Sequence, residues 1–379
     1  MLPTSFHEFD AKCSKSILCN SHRNWILHPA MDTSNSIDAF RKTAICRDLD
    51  IASVGQLFAL AQPVSFRTAT RLVRQGDTSR GAYVLREGTC AVQVALPGGG
   101  ENTVATLGAG SMFGEMALLE HGVCTASVVA TTHVEGWFIE NEPFRALTAG
   151  RNAAALTIQR TITSSLIARL SALNTELRRH PAPEDRPVVD TLPTTDPLAT
   201  ATRYRALQAS RFEHRAFLPI LPFFDDFRAD EIDATIANAN VLDVSRGQWI
   251  FLAGQPASAC YLVVRGAVEA NTHIDGFERR IALLGPGMLV GYISVLNGAA
   301  HGTQHGANAR AREHCTLLEF SAEDFLARYN GISAADVKMQ HAIHRNLLQS
   351  LARSNSQLSR LVTQAALNDA LKARRAVQV

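Results

Sequence analysis

Apolar positions along this 379-residue chain follow two periods in turn, and the alternation occurs twice. Short apolar or alternating runs, each bounded by a single glycine, read as strands joined by tight turns, because glycine supplies the backbone conformation such turns demand. Ala82-Tyr83-Val84-Leu85-Arg86-Glu87-Gly88 followed by Cys90-Ala91-Val92-Gln93-Val94 is one such unit. Its counterpart is Cys260-Tyr261-Leu262-Val263-Val264-Arg265-Gly266 followed by Ala267-Val268-Glu269-Ala270. The match extends upstream, where Leu72-Val73-Arg74-Gln75-Gly76-Asp77 is answered by Ile250-Phe251-Leu252-Ala253-Gly254-Gln255. It extends downstream too, from Gly136-Trp137-Phe138-Ile139 with Pro143-Phe144 to Leu317-Leu318-Glu319-Phe320 with Ser321-Ala322-Glu323-Asp324-Phe325. Self-similarity at this spacing means one domain present twice. A helical stretch precedes each copy, Ser53 to Ala61 and Asp230 to Asn238.

After each barrel the period becomes helical. Ile162, Leu166, Leu170, Leu173 and Leu177 fall at four-and-three spacing, which leaves Arg169, Glu176 and Arg178 on the solvated side. Further on, Ile343, Leu347, Leu351, Ser354, Leu358, Leu361 and Ala365 form a heptad seam in a helix expected from Ala335 to Leu371. Such a seam packs either on its own barrel or on a second copy. Because it outruns what a small barrel covers, a homodimer through Leu347, Leu351, Leu358 and Leu361 is expected. The fold class that follows is α+β, mainly β, with two tandem jelly-roll-like barrels, each followed by a long helix. The boundaries read as an N-terminal extension at 1–35, a first barrel at 36–150, a helix at 151–180, a Pro-rich linker at 181–205, a second barrel at 206–330 and the heptad helix at 331–379. Nothing before Met31 carries a pattern, which makes that methionine a candidate natural start.

Composition narrows the class. At 46% hydrophobic the chain can bury two cores, and a formal charge of +2 gives no general attraction to nucleic acid or anionic lipid. No apolar run approaches the roughly 18 residues a membrane span needs, and His7, Glu8, Asp10 and Lys12 break up any signal peptide, so a cytoplasmic protein is expected. Seven cysteines, an odd number spread through a long chain, fit reduced thiols better than disulfides. Cys13, Cys19 and His22 lack a fourth ligand at zinc spacing, so no metal is expected.

The chemistry concentrates at Gly110-Ser111-Met112-Phe113-Gly114-Glu115-Met116-Ala117-Leu118-Leu119, which resembles the phosphate-binding cassette of cyclic nucleotide-binding domains. The resemblance implies that Glu115 accepts a hydrogen bond from the ribose 2′-hydroxyl. It also implies that backbone amides of Gly114, Glu115, Met116 and Ala117, at a helix start, hold the cyclic phosphate together with an arginine. Here the family's Pro-Arg pair is replaced by Val123-Cys124, followed by Thr125-Ala126-Ser127-Val128. The ligand-binding set is then Phe113, Gly114, Glu115, Met116, Ala117, Cys124, Thr125 and Ser127, with two hydroxyls where the guanidinium is missing. Losing a charge-assisted bond of about 1.5–3 kcal/mol weakens binding by ten- to a hundredfold on that scale. The ligand implied is cAMP, cGMP, or a cyclic dinucleotide that recruits another arginine, with Arg86 and Arg145 as candidates. Cys124 itself reads as a small filler or as a thiol sensor, the latter requiring a lowered pKa.

The second cassette, Gly291-Tyr292-Ile293-Ser294, replaces the ribose acceptor with a phenol and is degenerate. Its following loop is about four residues longer than the first, Arg310 and Arg312 flank it, and His301, His305 and His314 read as exposed loop histidines. No cyclic mononucleotide is expected there. No helix-turn-helix fits after the second barrel, no membrane span exists and no catalytic constellation accompanies the barrels, so direct DNA binding, a channel and an enzyme are disfavoured. Tandem copies resemble kinase regulatory subunits, though Arg374-Arg375 lies at the wrong end for their inhibitory segment. Two readings stay open. One is a regulator that senses a nucleotide through its first barrel and signals through helix-mediated assembly to an unknown protein partner; the other is a ligand-independent scaffold.

Overall fold

The computed structural model describes residues 33–47, 49–95, 100–180, 185–187, 208–209, 214–297 and 304–377. Cys13, Cys19 and His22, most of the Pro-rich linker, and His301 lie outside them. The first half opens with helices α1 (Thr33–Arg41) and α2 (Ile51–Ala59), the latter started by Asp50, whose carboxylate accepts the Ser53 N–H at 2.6 Å. Strands β1 (Ala61–Phe66), β2 (Arg71–Val73), β3 (Gly81–Glu87), β4 (Cys90–Ala95), β5 (Glu101–Leu107) and β6 (Met112–Phe113) lead into the short helix α3 (Met116–Leu119). Then come β7 (Ser127–Ala130), β8 (Val134–Glu140), α4 (Asn141–Ala149) and the long helix α5 (Ala153–Arg179). All pairings are antiparallel, in two sheets of order β1-β8-β3-β6 and β2-β7-β4-β5.

The second half follows the same plan. Two short strands, β9 (Arg186–Pro187) and β10 (Gln208–Ala209), precede α6 (Ala229–Ile236). Strands β11 (Asn240–Val244), β12 (Trp249–Phe251), β13 (Ala259–Arg265), β14 (Val268–Ile274), β15 (Phe277–Leu284) and β16 (Leu289–Val290) reach α7 (Tyr292–Asn297). The chain continues through β17 (Asn308–Ala311), β18 (Cys315–Ser321), α8 (Ala322–Asn330) and α9 (Ala334–Val377). The sheets run β10-β11-β18-β13-β16 and β12-β17-β14-β15-β9. The expected α+β fold with two tandem barrels, each followed by a helix, is the observed one. Part of the stretch expected to be a plain linker joins the second barrel: Pro187 pairs with Phe277, and Asp185 holds Arg279 at 3.1 Å.

Each barrel has its own apolar interior, with Phe66, Tyr83, Leu85, Phe113 and Phe138 in the first and Phe251, Tyr261, Val263 and Leu317 in the second. The helices do not divide so cleanly. One cluster gathers Phe40, Trp137, Phe144, Ile162, Leu166 and Leu170 from the first half with Leu347 and Leu351 from α9. The seam through which a homodimer is expected, Leu347, Leu351, Leu358 and Leu361, is thus partly covered within the chain. Leu347, Leu351 and Leu361 are only 0%, 2% and 6% exposed in the single chain, and Leu358 is half-buried. Ser354, in the same seam, donates its hydroxyl to Asn174 Oδ1 on α5 at 3.0 Å. Leu347 and Leu351 pack in one core with Ile162, Leu166 and Leu170 of α5.

Candidate ligand sites in the two barrels

In the first barrel β6 is followed by Gly114, whose φ is +74° and where an added Cβ would stand 2.7 Å from the Gly81 carbonyl oxygen, so only glycine fits. The chain then turns through Glu115 into α3. Of the four amides expected at this turn, that of Ala117 already donates to the Gly114 carbonyl at 3.1 Å. Burial pushes the Glu115 carboxyl above its ordinary pKa, opposed by its own backbone N–H and by Arg169 on α5. Half-buried at the turn, this carboxyl is placed to accept a ligand hydroxyl. Phe113 stacks on Tyr83 at 5.0 Å, and Tyr83 lies 4.8 Å from Phe138, forming an aromatic floor. Burial, with Cys124 nearby, lifts the Tyr83 phenol to about 12.

Cys124 is fixed by its backbone: its N–H donates to the Asp77 carbonyl and its carbonyl accepts the Gly76 N–H, both at 2.8 Å. Its thiol is raised above the usual value by burial and by Asp77, against a pull from Ser79. That is the opposite of what a reactive thiol requires, so the sensor alternative for this residue is set aside. Ser127 is buried and its hydroxyl oxygen accepts the Gln75 N–H at 3.1 Å; Thr125 is half-buried, and Val123 is 62% exposed. The two arginines expected as substitutes are engaged elsewhere. Arg86 pairs with Glu135 and, at 3.3 Å, with Glu87; Arg145 lies 3.8 Å from Glu120. Glu120, just past α3, also meets Arg345 of α9 at 3.9 Å, and Arg345 holds Asp226 at 2.7 Å.

The second barrel repeats this backbone scaffold, which locates the counterpart of Cys124 without reference to loop length. His305 N–H donates to the Gln255 carbonyl at 2.8 Å, and its carbonyl accepts the Gly254 N–H at 2.9 Å. The bridge between Thr78 and Val123 is matched by one between Pro256 and Gln304. His305 therefore occupies the clamp position, and the expectation of an exposed loop histidine is corrected. Its ring is 3% exposed, lies 3.7 Å from Phe251 in a parallel stack, and has no hydrogen-bond partner at either nitrogen. Burial lowers its pKa to about 4, so it is neutral near pH 7. Gly291 is needed because a Cβ there would come 3.0 Å from the His305 ring and 3.1 Å from Phe251. The longer loop hides His305 when residues are counted forward from the cassette; it stands three before Asn308, as Cys124 stands three before Ser127.

The other expected residues are placed as follows. Tyr292, 2% exposed, begins α7 with its hydroxyl buried beside Ser350, and Ile293 packs against both helical cores; Ser294 follows on the same turn. Arg312 pairs with Glu269 at 3.4 Å and Arg310 lies over the Trp249 ring at 5.3 Å, so neither reaches the clamp. His314 is exposed, as expected, 3.7 Å from Asp243. Tyr292 does not close the pocket: a cleft of about 960 Å³ remains between the second barrel, α5 and α9. Arg178, expected on the wet side of α5, lines this cleft and donates to the Gly306 carbonyl.

Residues 63–151 and 241–330 match the family model of the cyclic nucleotide-binding domain. The cyclic AMP receptor protein of Thermus thermophilus is 36% identical over 107 residues, 28% of this chain and 48% of that protein. The cAMP-dependent protein kinase type II regulatory subunit of Drosophila melanogaster is 39% identical over 67 residues, 18% of each. The chain thus spans about half or less of the length of these curated relatives. Among solved structures, the regulatory domain of Toxoplasma gondii PKA with cAMP is 18% identical, with a TM-score of 0.28, over 82% of this chain and 96% of that one. Both halves share the sheet plan, the cassette glycine and the clamp-position backbone pairing, and both match the same family model: the chain carries two tandem cyclic nucleotide-binding domains.

Proposed function

We propose that the chain is a non-catalytic regulatory protein that senses a cyclic nucleotide weakly through its first barrel and relays occupancy to α5 and α9. One observation carries this reading: α3 is linked at both ends to helices outside its barrel. Glu115, at its start, is drawn by Arg169 of α5, and Glu120, at its end, is shared between Arg145 of α4 and Arg345 of α9. A ribose hydroxyl that engages Glu115 competes with Arg169, and any shift of α3 reaches the C-terminal helix through Glu120. The names of relatives, a cyclic AMP receptor protein and a cGMP-dependent protein kinase 2, make cAMP and cGMP the first ligands to test. Transmission to a separate protein partner, in a cytoplasmic setting, belongs to the same proposal. A ligand-independent scaffold is the second reading, and the thiol at the clamp position favours it.

The double substitution Val123→Pro with Cys124→Arg tests the choice. Because the Cys124 backbone already sits in the clamp position, the variant should bind cAMP or cGMP about tenfold or more tighter than the natural chain, by calorimetry. Glu115→Ala in the same background should abolish the gain. A variant that folds normally by circular dichroism and shows no binding at millimolar nucleotide would transfer preference to the scaffold.

A further inference from the structure

The cleft of the second barrel has been rebuilt rather than emptied. Its walls come from both halves of the chain: Asn174 and Arg178 of α5, Arg280 of β15, and Arg353, Ser354 and Arg360 of α9. No aspartate or glutamate is among its described lining residues, whereas four arginines are. The arginines fall in two groups. Arg178 stands at the cassette end, bonded to Gly306 next to His305, with its Nε buried and lacking a hydrogen-bond partner. Arg280 and Arg353 stand on the α9 side, where Gln357 donates to the Arg280 carbonyl at 3.3 Å and Arg353 contacts Met288 Sδ at 3.2 Å. Arg360 lines the same side.

Cations around one cleft without a carboxylate repel each other and raise the local concentration of anions, and guanidinium forks match phosphate oxygens two at a time. The His305 ring adds an independent sign. A side chain this buried with both nitrogens unpartnered is costly unless something else supplies the hydrogen bond. A single cyclic phosphate is poorly served here. Tyr292 stands where a ribose acceptor would be, and the clamp position holds a neutral imidazole. Positive charge stands instead on α5, β15 and α9, with Arg178 bonded beside His305 and Arg353 beside Met288. The volume, near the upper end of the roughly 300–1,000 Å³ of small-molecule sites, suits a body longer than a mononucleotide.

We propose that this cleft binds an organic ligand with at least two phosphate groups, one read by Arg178 beside His305 and the other by Arg280 and Arg353, and that the ligand ties α5 to α9. This goes beyond the first-barrel reading and does not rest on it. The occupant would bridge the two domains at the place where Ser354 and Asn174 already join the helices.

The test is calorimetry on the full chain with cyclic di-GMP, cyclic di-AMP and ADP as two-phosphate probes and cAMP as the one-phosphate control. At least one two-phosphate probe should bind saturably, and Arg178→Gln and Arg353→Gln should each weaken it about tenfold or more. Arg353 is exposed, so its variant keeps the test sound if Arg178→Gln perturbs folding. In a chain carrying Glu115→Ala, which removes the first barrel's ribose acceptor, two-phosphate binding that still depends on Arg353 belongs to this cleft, so failure here and failure of the first-barrel reading are separable. Binding should also raise the unfolding temperature of the natural chain. The proposal is overturned if no two-phosphate probe saturates at millimolar concentration, if cAMP binds this cleft equally well, or if affinity is indifferent to Arg353→Gln.

Discussion

Cys124 and His305 occupy one backbone position in two copies of one fold, yet they depart from the family's arginine in different directions. In the first barrel the acid is kept and the cation is gone: Glu115 remains half-buried at the cassette turn, and a thiol raised by burial stands at the clamp position. In the second both are gone, replaced by Tyr292 and a neutral His305, while arginines from α5, β15 and α9 collect around the cleft. What survives in both is the part that backbone hydrogen bonds enforce. The pairs Gly76–Cys124 and Gly254–His305 hold the same geometry whatever side chain follows. Architecture is therefore separable from ligand chemistry here, and the two barrels can serve different ligands without any change of fold.

The largest expected effect concerns where the two halves stop being separate. Leu347 belongs to α9 but is fully buried in the cluster that holds Phe40, Trp137 and Leu166 of the first half. Leu347→Ala should cost about 2–5 kcal/mol, the usual range for a buried leucine that leaves a cavity. Denaturant unfolding followed separately by first-half and second-half probes should show both midpoints fall together. If only the second-half probe moved, the barrels would unfold independently and the shared core would contribute little to either.

A smaller effect, and one that differs in sign between the halves, is the response to acid. Burial lowers His305 to about 4 and His344 to about 3, with His341 also acting on His344. His344 Nε2 lies 2.9 Å from the Thr163 hydroxyl across the α5–α9 contact. A histidine depressed in the folded state contributes stability that is complete above its unfolded value of about 6.5 and is lost as pH falls towards the folded value. Each should remove up to about 1.4 kcal/mol per pH unit over that window. Glu115 runs the other way: its raised pKa gives a contribution present at low pH and lost as pH rises through the folded value. Unfolding midpoints at pH 7, 6 and 5 should fall in the natural chain and fall less in His305→Phe, which can keep the stack on Phe251. An equal fall in both would remove His305 from the account.

Much of this was legible in the residues. Glycine-bounded apolar runs and the internal repeat gave both barrels, and the helix starts needed only Asp50, Asn152 and Ser321, each of which accepts a backbone N–H. The Phe113–Leu119 motif marks the turn at which β6 gives way, through Gly114 and Glu115, to α3. Two things were not legible. A heptad seam states that a stripe must be covered, not by what, and α5, roughly 180 positions earlier in the chain, has the same periodicity as a second copy would (Thr163 to His344 spans 181). The arginines around the second cleft lie on three elements far apart in sequence, with no spacing to mark them. Arg178 looked solvated because its own helix offers nothing to cover it; the cover is the second barrel.

The smallest expected effect is the most discriminating. His305→Arg puts the family's residue in the second clamp position, which shares its backbone pairing with Cys124. Were a cation all that either barrel lacked, this change would match the gain from Val123→Pro with Cys124→Arg. Tyr292 argues otherwise, because the ribose acceptor is absent and its buried ring occupies the start of α7. A cyclic mononucleotide would also leave the distant arginines of α9 without a phosphate. His305→Arg alone should therefore give no measurable affinity for cAMP in a chain whose first barrel carries Glu115→Ala, whereas adding Tyr292→Glu should produce saturable binding. Calorimetry on the two variants separates the cases. If His305→Arg alone binds cAMP, the acceptor is dispensable, and the two barrels differ by one charge rather than by the kind of ligand they take.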